Sequence, residues 1–317
     1  MNVHDLEGDL YELYCGRSSN WVPKFGSIRT ETAEWKLGPI FTERETYDED
    51  DDIHHDWISE AAAACVVTQI KGPSPGTQGI AKLRMQIPND PDDPSSTKPY
   101  PDSTRLAVEW VNLLQLTECG CTCTPRLLDS AEITQGDNYP VPGGFIFFLV
   151  MERLGGRNLV NFGTLQMSER NQVRLAFAKA IREFYSLGFA HEDPDRRNLI
   201  WDREKQKCYI IDLEDVYKVP KGGKPRKFIP EDDFHTWGIA GPVINTSGFG
   251  LDPMVPYDRK NIEDPGDEAL EKMAKDSEGK GLLFVEYGHY YREPNKEKGE
   301  EGPRAVNFVK SVREAKE

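Results

Sequence analysis

The stretch HEDPDRRN, residues 191–198, sets His191, Asp193 and Asn198 in one short loop, and Asp212 follows after the run LIWDREKQKCYII. A carboxylate held on a loop can accept a proton from a hydroxyl group. A carboxylate and an amide oxygen that converge on one point suit a hard cation such as Mg²⁺, with phosphate oxygens completing its shell. Any one of these residues also fits an ordinary turn or strand end, where Asp and Asn are common. The joint spacing is the signal.

Convergence requires particular elements around these residues. Leu199-Ile200-Trp201 reads as a short strand, Asp202 to Lys207 as a polar turn, and Cys208 to Ile211 as the returning strand. Both strands of a hairpin rise by about 3.3 Å per residue, so its ends, Asn198 and Asp212, come side by side. A helix over 168–187 delivers the chain to His191, with Val173, Phe177, Ala180, Ile181 and Phe184 on one face and Gly188 at its end. Upstream, ACVVTQI and GIAKLRMQI read as strands separated by KGPSPGTQ. The second alternates: Leu83, Met85 and Ile87 share one face, and Lys82, Arg84 and Gln86 the other.

A further helix starts after Ser103 or Thr104 and runs to about Glu118, with a stripe of Leu106, Trp110, Leu113 and Leu114. Glu109 falls on the edge of that stripe, and Glu118 points off it. A carboxylate turned toward the core needs a partner, because an unpaired buried charge is costly. Lys82 is the candidate; a surface glutamate and an ordinary polar-face lysine are the plain alternatives. Phe145 to Met151 is a nearly continuous apolar strand that runs into a Gly-Gly turn.

Composition bounds the classes of function. The chain has 317 residues, enough for two lobes with a sizeable core, and a formal net charge of −15. That charge argues against binding to nucleic acid or an anionic membrane surface. No apolar run approaches the roughly 20 residues of a membrane span. MNVHDLEGDLYELYCG lacks a basic region followed by an apolar one. The expectation is therefore an intracellular protein, cytoplasmic or nuclear. Residues 1–57 read as a polar extension, including the acidic run YDEDDDIHHDW, where His54 and His55 could hold a metal or simply sit in a solvated loop. Order is expected from about Ile58. The cluster ECGCTC, with Cys119, Cys121 and Cys123, lacks the C-x-x-C pairs of structural zinc sites. It reads as a reduced, partly buried loop, with a metal site as the alternative.

In chain order, AKLRMQI, Glu109 on its helix, VMERLGG, HEDPDRRN, IIDLED and DFHTWGI together resemble the protein-kinase-like superfamily, from about residue 60 to 240. The likeness is nearest to its atypical fungal and aminoglycoside phosphotransferase branches. It implies an α+β fold of two lobes: a small β-rich N-lobe over 58–150, the hinge and catalytic-loop core of the C-lobe over 151–240, and a loop-rich, reduced remainder over 241–317. In that remainder helices are expected near 268–275 and 305–315. The resemblance implies ATP and Mg²⁺ as cofactors and phosphoryl transfer to a hydroxyl of a protein or small molecule. Asp193 would accept the hydroxyl proton, Asn198 and Asp212 would hold Mg²⁺, and Lys82, held by Glu109, would orient the phosphates. Backbone groups of Met151, Glu152 and Arg153 would read the adenine. His191 would brace the loop, and Asp233 and Gly238 match a helix that anchors the lower lobe.

The chain also departs from that pattern. Glu192 stands where many kinases carry an arginine that meets a phosphorylated loop, and Asp195 where serine/threonine kinases place a lysine. Arg197 could supply the missing cation, as in tyrosine kinases. DLE at residues 212–214 replaces Asp-Phe-Gly, and KGPSPGTQG offers Gly72, Gly76 and Gly79 without G-x-G-x-x-G. Two classes of function therefore stay open: an active phosphotransferase, or a pseudokinase serving as a nucleotide-binding or protein-interaction module. The segment KVPKGGKPRK gathers Lys218, Lys221, Lys224, Arg226 and Lys227 in an acidic protein. It reads either as a solvated glycine-rich loop or as a lure for an acidic or phosphorylated substrate.

Overall fold

A computed structural model describes residues 26–47, 58–90, 92–93, 97–101, 104–243, 251–255, 263–278, 291–292 and 304–305. The acidic run with His54 and His55 lies outside them, as do residues 306–315 of the C-terminal helix expected from sequence. Ala305 itself belongs to a short strand, Arg304–Ala305, which pairs with Tyr291–Arg292.

Strands β1 (Ser27–Arg29), β2 (Glu34–Thr46), β3 (Glu60–Lys71) and β4 (Gln78–Gln86) are followed by helix α1 (Thr104–Glu118), β5 (Leu127–Thr134) and β6 (Phe145–Glu152). Among the described residues they form one antiparallel sheet in the order β1-β2-β3-β4-β6-β5. Order does not wait for residue 58, as the sequence suggested. Residues 27–46 already supply two strands. They escape a search for alternation because residues 42–46 of β2 are polar on both faces; buried Ile28 of β1 and Trp35 of β2 pin the pair to the core.

β2 and β5 lie far apart in this order, yet Asp129 of β5 accepts hydrogen bonds from the hydroxyls of Thr30 and Thr32, at 2.6 and 3.2 Å, and from the Trp35 indole at 2.9 Å. The sheet therefore curls toward a barrel, enclosing a core that includes Trp35, Val67, Met85, Ile146 and Phe148. Twist makes such curling natural for a long antiparallel sheet. The carboxylate of Asp129 ties its ends.

The described residues divide into two compact units: those within 1–158, 180–193 and 198–226 form the first, and the remaining described residues the second. The first contains the sheet, α1, the end of helix α2 (Met167–Ser186), the pair β8 (Phe189–His191) with β11 (Val216–Lys218), and the three strands β7 (Arg157–Asn158), β9 (Leu199–Asp202) and β10 (Lys207–Ile210), with β9 in the middle. α2 ends where Gly188 takes φ +82, a left-handed turn that glycine adopts freely. The described elements of the second unit are the start of α2, the short helices Leu159–Thr164 and Arg196–Asn198 (up to Arg197), α3 (Pro230–Thr236), α4 (Gly266–Ser277) and the pair of two-residue strands. Its centre is polar: Arg170 and buried Arg174 both grip Asp252, and Arg174 also donates to the carbonyls of Ile239 and Ala240. Phe177 packs on Phe234 and Trp237 beside it. In DFHTWGI, Asp233 accepts the Ile229 N–H at 2.8 Å and so caps α3, which is only seven residues long.

Asp129→Ala should leave the buried Trp35 indole N–H without its acceptor and untie the curl. Urea unfolding should show a loss of about 1–3 kcal/mol, the usual cost of stranding a buried donor. An unchanged midpoint would mean that the sheet's curl does not depend on this carboxylate.

Candidate active site

Lys82 projects from β4 with its Nζ between two carboxylates, 2.7 Å from Glu109 Oε1 and 2.6 Å from Asp212 Oδ1. Three elements meet in that contact. β4 supplies the lysine from the face opposite its core residues. That face is not solvated, as simple alternation would have it: Arg84 and Gln86 on it are buried. α1 supplies Glu109 from its buried face, which runs through Glu109, Asn112, Leu113 and Leu116 rather than through Trp110 and Leu114, both only half-buried. Two polar residues can face inward because both have partners. The Asn112 amide donates to the carbonyls of Leu213, at 3.0 Å, and Val216, at 2.8 Å.

The hairpin β9–β10 supplies Asp212. Its register, Leu199 opposite Ile210, is extended by a bond from the Ile211 N–H to the Asn198 carbonyl at 2.9 Å, so Asn198 and Asp212 are brought to the same end. Buried Asn198 donates its amide to the backbone carbonyl of Asp193 at 2.9 Å and to its carboxylate at 3.4 Å. His191 accepts the Asp193 N–H at Nδ1, 3.2 Å away, which leaves Nε2 to donate to the Ile211 carbonyl at 3.3 Å. Burial lowers the histidine's pKa, so it braces the loop as a neutral ring. Asp212 itself has φ 62 and ψ 69. A left-handed conformation costs a non-glycine residue about 1–2 kcal/mol. It persists because the bonds at Ile211, Leu213 and Lys82 over-determine it, and such stored strain is a mark of functional positions.

Glu214, the last residue of DLE, is gripped by Arg84 and lies 3.3 Å from Arg44; Arg84 in turn holds Glu60 at 2.7 Å. The sequence reading missed this second ion network. Its signal was present, since Arg84 lies two residues from Lys82 on the same strand face and Glu214 two residues from Asp212.

Glu109, Asp212 and Glu214 each offer one oxygen, all within 4.8 Å of one another. Burial drives the Glu109 pKa up, with the Asp212 charge adding to it, and Lys82 does not fully compensate. One reason is visible: Glu109 Oε2 is buried and, among the described residues, makes no hydrogen bond. Burial pushes Asp212 in the same direction, but Lys82 overcomes it, and its pKa is lowered. Burial pulls the Lys82 ammonium down, and the two carboxylates more than reverse that. One cation is shared by more negative charge than it can neutralise.

Several expected residues already have partners in the structure. The Glu152 N–H, expected to meet adenine, donates to the Arg126 carbonyl at 2.8 Å, and the Arg153 side chain bonds Gln78 at 2.5 Å. Met151 lies within the sheet, opposite Ile80 on one side and Leu127 on the other. Arg197 falls in the second unit, where it pairs with Asp195 at 3.4 Å. Gly72 and Gly76 serve the β3–β4 turn with positive φ, while a Cβ at Gly79 would meet the Met151 carbonyl at 2.8 Å. These glycines have local backbone reasons.

No protein-family model matches the chain, and no curated protein matches it. No helix among the described residues is long and apolar enough to cross a membrane.

The pH dependence of stability separates the two carboxylates. With its folded pKa raised above 4.5, Glu109 contributes most in acid, and that contribution falls as pH rises through 4.5 toward the folded value. Asp212, with its folded pKa below 3.8, contributes fully above 3.8 and loses its contribution as pH falls further. Urea unfolding across pH should therefore show the wild-type advantage over Glu109→Gln shrinking toward neutrality and the advantage over Asp212→Asn shrinking in acid. Parallel profiles for the two variants would contradict this charge assignment.

Proposed function

We propose that the chain is an ATP- and Mg²⁺-dependent phosphotransferase of protein-kinase-like type, moving the γ-phosphate to a hydroxyl group. The observation that carries this reading is Lys82 held between Glu109 and Asp212, at the same hairpin end that presents Asn198 and the Asp193 loop. Phosphoryl transfer asks a protein mainly for positioning and charge neutralisation. The residues fit Mg²⁺: Asp212 and Asn198 offer hard oxygens, and the carboxylates around Lys82 carry uncompensated negative charge. With nucleotide bound, Lys82 would turn from Asp212 toward the phosphates while Glu109 keeps it oriented. The Asp193 carboxylate, held by the Asn198 amide on a loop that His191 braces through its backbone, would take the proton from the acceptor hydroxyl.

The acceptor would be acidic or already phosphorylated. Lys221 and Lys224 are exposed in the segment after β11, while Lys218 bonds Gln115 and Arg226 stacks on Tyr185. A cationic segment on an acidic protein concentrates anionic substrates near it.

One observation favours a second reading. Lys82 pairs directly with Asp212, the carboxylate that a metal needs, and Glu214 is clamped by arginines where kinases have a flexible glycine. A pseudokinase, serving as a nucleotide-binding or protein-interaction module, would tolerate such a latch.

Thermal unfolding with ATP, with and without Mg²⁺, separates the two. A ligand at about 100 times its Kd stabilises the folded state by about 2.7 kcal/mol, a readable shift in Tm. The expected result is a Mg²⁺-dependent shift that Asp212→Ala abolishes, with transfer from ATP to an acidic acceptor lost in Asp193→Asn. No shift at saturating ATP would overturn the phosphotransferase reading; a shift without transfer would select the pseudokinase.

A further inference from the structure

Between α1 and β5 the chain makes a tight loop whose chemistry the phosphotransferase reading does not use. Gly120 leaves the helix with φ +71, and the Cys121 N–H closes the turn on the Leu116 carbonyl at 2.9 Å. Cys121 and Cys123 are both buried, with their sulfurs 3.4 Å apart, and the Thr124 hydroxyl points at the Cys121 sulfur from 3.4 Å. Glu183 of α2 reaches the loop from the other side. Its two oxygens accept the Thr122 N–H at 2.5 Å and hydroxyl at 2.8 Å. One carboxylate oxygen and both sulfurs lie within 4.8 Å of one another.

We propose that Cys121, Cys123 and Glu183 form a binding site for one thiophilic divalent cation, Zn²⁺ in chemical class. Thiolates select soft or borderline ions over Mg²⁺. Two sulfurs bound at about 2.3 Å to a tetrahedral ion stand ~3.8 Å apart. The observed separation of 3.4 Å therefore lies a few tenths of an ångström from ion-binding geometry. A disulfide requires the sulfurs to close to about 2.05 Å, a far larger movement in a buried loop. The carboxylate fits the same choice, because a third anionic ligand strengthens a cation site and does nothing for a disulfide.

The site has a structural consequence. The Cys123 carbonyl accepts the Ile210 N–H at 2.8 Å, on the strand that delivers Asp212. A cation fixing this loop would fix the exit of the hairpin, whether or not a nucleotide binds.

The test is a titration of reduced, metal-free full-length protein with Co²⁺, followed by sulfur-to-cobalt charge-transfer absorption and displacement with Zn²⁺. The expected result is one ion per chain. Affinity should fall by at least the 10–100-fold typical of a lost supporting partner in Cys121→Ser and in Cys123→Ser. Cys119→Ser, whose thiol is exposed and outside the cluster, should bind like wild type. Glu183→Gln should keep the sulfur band and bind more weakly. Circular dichroism checks that each variant is folded, and the wild-type titration decides the matter even if one is not. Absence of the charge-transfer band in wild type, or its survival in both serine variants, would overturn the proposal. So would complete conversion of the pair to a disulfide by hydrogen peroxide in protein that binds no Co²⁺.

Discussion

One ammonium group is asked to hold three elements of the first unit together. Lys82 joins the strand β4, the helix α1 through Glu109, and the hairpin exit through Asp212. Each pair at this distance is worth about 6 kcal/mol of gross Coulomb energy at an effective dielectric of 20, before desolvation takes back much of it. The repulsion among the three carboxylates has the same scale, so a single cation cannot satisfy them all. The arrangement is stable only because Arg84 and Arg44 take charge of Glu214, and because the most buried carboxylate, Glu109, binds a proton more readily than usual.

The backbone is organised around the same constraint. Asp212 sits in a left-handed conformation, which aspartate enters more readily than most residues but still at a cost. It is imposed from both sides: Asn198 and His191 hold Ile211, and Asn112 holds Leu213 and Val216. β8 pairs with β11 immediately beyond, so the chain before the Asp193 loop and the chain after Asp212 are zipped together. A Glu at position 214 fits this logic. Where a glycine would let the segment swing, a glutamate bonded to two arginines keeps it in place.

Much of this was legible in the sequence, and the failures share a cause. Hairpin ends, the apolar strand β6 and the face of α2 follow from short-range periodicity, which a single sequence displays directly. Glu109 was detectable as a charge at the edge of a stripe. Its neighbour Asn112 was not, since its partners are backbone carbonyls distant in the sequence. Residues 27–46 were hidden because a strand at a curling edge can be polar on both faces and still pair. The bond from the Glu152 N–H to Arg126 is hidden for a similar reason: it depends on a neighbouring segment that periodicity does not locate.

The central claim is that Lys82 meets the phosphates of a nucleotide. An ATP analogue carrying an acyl group on its terminal phosphate transfers that group to a lysine lying against the phosphates, and peptide mapping identifies which one. Lys82 should be the acylated residue, with excess ATP and Mg²⁺ protecting it. Label found on exposed lysines such as Lys221 and Lys224, unaffected by ATP and with Lys82 untouched, would contradict it.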